Sequence, residues 1–109
     1  MSNRNFTPRP ETMFYDATKP VYYTRNLDLA AYLVYNLNEQ PEIKLVNTNY
    51  GDKIQYEFKN QQTIRDLLED YDRGEALVEP KRYSEIKIKI IKNRNELFPK
   101  PDRMASPAN

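Results

Sequence analysis

Four carboxylates crowd one short stretch: Asp66, Glu69, Asp70 and Asp72. On a helix, Asp66 and Asp70 would stand one turn apart on the same face, a spacing at which two carboxylates can bridge a divalent cation. The same stretch has a plainer reading. Arg65 precedes Glu69 by four residues and Arg73 follows it by four, so opposite charges alternate along a solvated face. That face lies opposite Ile64, Leu67, Leu68 and Tyr71, which fit the i, i+3, i+4, i+7 template of a buried stripe. The plainer reading is preferred, and neither a metal site nor a cofactor is expected.

Residue types close off most other chemistry. The chain contains no histidine and no cysteine, so Ser-His and Cys-His nucleophiles cannot be assembled, nor can zinc sites of the usual kind. Gly51 and Gly74 are its only glycines, whereas phosphate loops and dinucleotide fingerprints need several glycines close together. The expectation is therefore a protein that is not an enzyme. A cysteine-free chain forms no disulfides and is compatible with a reducing compartment. The longest apolar run, Leu29 to Tyr35, falls far short of the ~20 residues that span a bilayer. The amino terminus lacks the apolar core of a secretory signal. A soluble, cytoplasmic protein without membrane association is expected.

What remains is binding. Net charge is +1, but its distribution is uneven. Arg65 and Arg73 against Asp66, Glu69, Asp70, Asp72 and Glu75 leave residues 63–75 at −3, next to a basic carboxyl-terminal block. That block carries Lys81, Arg82, Lys87, Lys89, Lys92 and Arg94, with Glu85 the only acid between them. Such a row of cations either neutralises phosphates or is the polar face that any amphipathic helix needs. Tyrosine is frequent and tryptophan absent, and tyrosine serves both base stacking and protein interfaces.

These side chains need elements to position them. "PVYYT", Pro20 to Thr24, is β-branched and aromatic and reads as a strand. Asn26 then suits a helix N-cap and Asp28 a first turn, ahead of Leu27, Ala30, Ala31 and Val34 at helical spacing. "EIKLVNT" and "KIQYEF" flank "NYGD" and form a hairpin, with Asn49 and Gly51 able to take positive φ. Ile43, Leu45, Ile54, Tyr56 and Phe58 share one face; Lys44, Val46 and Lys53 share the other. Asn60 or Thr63 caps the next helix, and Gly74 ends it. The last segment alternates in "EIKIKI", yet its length without Gly or Pro from Lys81 to Phe98 favours a helix led by Pro80, with Tyr83, Ile86, Ile90 and Leu97 on one stripe. Ile88 falls off that stripe.

The expected fold is α+β: a small three-stranded antiparallel sheet with three helices, in the order β-α-β-β-α-α. Residues 19–98 form one domain; residues 1–18 and 99–109, rich in Pro and without apolar period, are tails. A domain of that size has a marginal core, which a homodimer would reinforce. Adjacent strand tyrosines point to opposite faces. With Tyr23 placed inside beside Val21, Tyr22 lies outside near Lys44 or Lys53.

The segments "YYTRNLDLAAYL", "IQYEF" and "LLEDYDRGEALVEPKRYSEIKIKI" together resemble a small family from phages, plasmids and prokaryotic genomes that has no assigned function. The resemblance covers about Tyr22 to Arg94. It implies a helix over Lys81 to Arg94 and a mobile-element or prokaryotic setting, and it carries over no site residues.

The functional expectation is a non-catalytic module binding single-stranded DNA. Tyr22, Lys44 and Lys53 on the sheet face and Lys87, Lys89, Lys92 and Arg94 on the last helix would make the contacts. The alternative is a protein-interaction module or a small homodimeric accessory or inhibitor protein with an exposed aromatic patch.

Overall fold

Three strands and three helices follow one another in the expected order. The computed structural model describes residues 10–99. The strands are β1 (Val21–Thr24), β2 (Glu42–Thr48) and β3 (Gly51–Lys59); the helices are α1 (Leu27–Leu37), α2 (Gln62–Asp72) and α3 (Pro80–Leu97). The sheet is antiparallel with the order β1-β3-β2, so β3 is central and β2 is an edge.

The chain divides into two compact units. The first comprises the chain up to Tyr22 together with Lys59–Leu77. Its helix α2 buries Ile64 and Leu68, two members of the expected stripe. The helix closes in a Schellman motif: the Glu75 amide reaches the Asp70 carbonyl and the Gly74 amide reaches Tyr71. Gly74 supplies the left-handed residue that this requires, at φ 74°. Neither proposed cap holds the start of α2, since Gln61 occupies the cap position and its side chain, bonded to the Lys59 carbonyl, does not cap the helix. Asn60 is engaged elsewhere. Its amide group donates to the carbonyls of Asp16 and Lys19, at 3.0 and 2.8 Å.

Part of the expected amino-terminal tail takes defined structure in this unit. Glu11–Phe14 form a 3-10 turn, and Asp72 at the end of α2 accepts from the amides of Glu11 and Thr12. The Tyr15 ring lies 6.3 Å from that of Tyr22. Residues 1–9 and 100–109 of the expected tails lie outside the described residues.

The second unit comprises Tyr23–Phe58 and the chain from Val78 onward. Asn26 caps α1 as its sequence position suggests, accepting from the amides of Asp28 and Leu29. Leu29, Ala30, Ala31, Tyr32, Leu33 and Val34 are all buried, so α1 is covered on every side over that stretch. A helix apolar all round belongs inside. It ends at Asn38, the only non-glycine with positive φ among the described residues.

Strands β2 and β3 pair in the register Ile43 to Tyr56 and Leu45 to Ile54, closed by Thr48 opposite Gly51. Gly51 takes positive φ at this turn and Asn49 does not. Helix α3 starts with Pro80, and Glu79 caps it by accepting from the amides of Lys81 and Arg82. Ile90 is fully buried and Ile88 is exposed, as the helical stripe requires. Leu97, expected on that stripe, is also exposed.

Candidate interaction surface

The face of β2 and β3 opposite Ile43 and Tyr56 carries Glu42, Lys44 and Val46 against Glu57, Gln55 and Lys53. Cross-strand pairing sets Glu42 directly opposite Glu57, an arrangement that repels. Lys44 lies between them: its Nζ is 3.1 Å from Glu57 Oε1 and 4.0 Å from Glu42 Oε2. The hydrogen bond to Glu57, then the charge of Glu42, hold the Lys44 ammonium above its ordinary pKa. Gln55 is buried and donates to Glu57 Oε2 at 2.9 Å. Glu57 is thus held from two sides.

The tyrosine expected on this face is a correction. Tyr22 is 4% exposed and Tyr23 is 50% exposed, the reverse of the expectation. Strand alternation is obeyed, but its phase is set by Tyr22 and Thr24, which are buried, while Val21 and Tyr23 are exposed. Two contacts favour that phase. Tyr22 meets the Tyr15 ring, and the Thr24 hydroxyl accepts from the Asn26 amide at 3.1 Å, tying the strand to the helix cap. Tyr23 is therefore the aromatic side chain on the side away from the core.

The cations of α3 separate into two groups. Lys87 Nζ lies 2.7 Å from Asp28 Oδ1, and 5.5 Å from the centroid of the Tyr83 ring. Arg94 Nη1 donates to Tyr56 Oη at 3.4 Å. Both turn toward their own unit. Lys89 and Lys92, by contrast, are exposed and have no acidic partner among the described residues, and the same holds for Lys53. The seven expected contact residues are thus not brought together as one basic surface. One is buried, three are engaged within the protein, and three are free.

Sequence reading missed the cluster that docks α3 on α1. The Arg82 guanidinium stacks 4.6 Å from the Tyr35 ring centroid and donates to Asn38 Oδ1 at 3.1 Å. The Tyr35 hydroxyl accepts from the Glu79 amide, and the Tyr83 hydroxyl donates to the Asp28 carbonyl at 2.7 Å. These partners are more than forty residues apart in sequence, so no local spacing announces them.

Three of the four carboxylates of α2 are also engaged, Asp66 being the exception. Glu69 pairs with Arg65 at 3.1 Å, Asp70 with Arg73 at 3.0 Å, and Asp72 caps the 3-10 turn. No group of three metal-ligating side chains occurs among the described residues. A groove of about 470 Å³ runs beside β2, lined by Pro41, Glu42, Ile43, Asn93, Glu96 and Leu97. None of the described helices is long and apolar enough to cross a membrane. No family model, no curated protein and no solved structure matches the chain.

Proposed function

We propose that this is a small non-catalytic binding module whose partner is another protein. The observation that carries the reading is the charge balance of the open sheet face. Lys44 and Lys53 are matched there by Glu42 and Glu57, and Lys44 is bonded to Glu57. Affinity for a nucleic-acid backbone grows with the number of phosphates that free cations neutralise, and this face has no net surplus to offer. Tyr23 is half exposed on the side away from the core, and tyrosine is among the residue types enriched where proteins meet.

A labelled single-stranded oligonucleotide, titrated at about 50 mM salt, discriminates the two readings. Fluorescence anisotropy should show no saturable binding, and the variant K53E/K89E/K92E should behave as the parent does. Binding that falls steeply with salt and disappears in that triple variant would overturn the protein reading in favour of nucleic acid.

A further inference from the structure

We propose that two copies of the chain join edge to edge through β2, antiparallel, in the register centred on Ile43. The inference concerns the strand edge and does not depend on what binds the open sheet face.

Strand β2 has a neighbour on one side only. The free edge of β2 is a template for another strand, and in the register centred on Ile43 its first three residues, Glu42 to Lys44, pair strand to strand with those of the second copy. Apolar surface gathers at this edge. Leu45 is 47% exposed although it lies on the core face with Ile43, and Leu97 at the end of α3 is 58% exposed. The groove between them, lined by Pro41, Ile43 and Leu97, is open to solvent.

The side-chain order along β2 selects a second copy as the occupant. In a two-fold antiparallel pair, residues equidistant from the centre face each other. Centred on Ile43, Glu42 of each copy faces Lys44 of the other, giving two opposite-charge pairs on the open face. On the core face, Leu45 of each copy falls against Pro41 of the other, at the mouth of the groove that Pro41, Ile43 and Leu97 line. The neighbouring registers do neither. Centring on Lys44 sets two lysines against each other, and centring on Leu45 sets Glu42 against Thr48 and Lys44 against Val46. The Ile43 register also brings a second ammonium to Glu42, whose present cross-strand neighbour is the like-charged Glu57.

Sedimentation velocity on the full chain across a concentration series tests this. A reversible dimer is expected. L45K and L97K, both at exposed positions, should each weaken association by at least about tenfold with the helical and strand signal of the parent. K53E, on the open face, should leave association unchanged. The register can be read independently, because the chain has no native cysteine. Oxidising an equimolar mixture of E42C and K44C should give a disulfide-linked dimer in higher yield than either variant alone. A monomer at every concentration, a dimer indifferent to both leucine substitutions, or cross-linking no greater in the mixture would each overturn the proposal. The oligonucleotide experiment above is unaffected by any of these outcomes, so the two proposals fail separately.

Discussion

Asp72 ends α2 and also starts another element. Its carboxylate accepts from the Glu11 amide at 2.7 Å, the Thr12 amide at 3.0 Å and the Thr12 hydroxyl at 2.9 Å. This is N-capping performed from across the sequence. D72A should cost about 1 kcal/mol, the usual range for a lost cap, read as a shift in urea midpoint with lost exchange protection at the Glu11 and Thr12 amides. Glu11 beside it is held above its ordinary pKa, first by burial and then by the Asp72 charge. A carboxyl whose folded pKa is raised binds more protons when folded, so it destabilises above that pKa and the penalty fades as pH falls through it. E11Q should therefore raise stability modestly at pH 7, discounted for partial exposure, and the gain should vanish near and below about pH 4. Urea melts at the two pH values check this. None of this was legible locally, because an acid at position 72 reads as part of a solvated face. Tyr15, the partner that turns Tyr22 inward, stands in a stretch without apolar period that reads as tail.

Elements were far more legible than contacts. Helix α3 was the hardest, since "EIKIKI" alternates like a strand. Its length, its leading proline and the absence of a turn signal decided correctly for a helix. The resulting stripe makes a sharp contrast. I90A removes a fully buried side chain and should cost about 2–5 kcal/mol. I88A, at a position 62% exposed, should stay within about 0.5 kcal/mol. Equal costs in chemical denaturation would show that the helix is packed on a different face. The hairpin and the glycine stop of α2 were legible for the same reason: turn chemistry is local. The 3-10 turn over Glu11–Phe14 was not, because four residues show no periodicity. The cap of α2 was misplaced because Asn60, a good cap by type, directs its side chain to two carbonyls of the preceding chain.

At the scale of the molecule, the two units differ in how much apolar surface each buries. The first rests on Tyr22, Ile64 and Leu68, while the second holds Leu29 to Val34, Ile43, Tyr56, Phe58 and Ile90. Local opening free energy follows such burial. Native-state hydrogen exchange should therefore find the amides of Leu67 to Tyr71 opening more readily than those of Leu33 and Val34; the opposite order would contradict it. The candidate surface was legible only as composition. Its charges were visible in sequence, but whether each was free depended on partners such as Asp28 for Lys87 and Tyr56 for Arg94. One small feature has a practical use. At the hairpin tip Tyr50 is 88% exposed, and just beneath it Asn47 donates to Asp52 and Thr48 to the Gly51 carbonyl. Those bonds join the strands below the tip, where the Tyr50 amide adds one bond to the Thr48 hydroxyl at 3.0 Å, so the tip is a natural splice point. An epitope or fluorescent label inserted between Asn49 and Tyr50 should be carried without disturbing the pairing below.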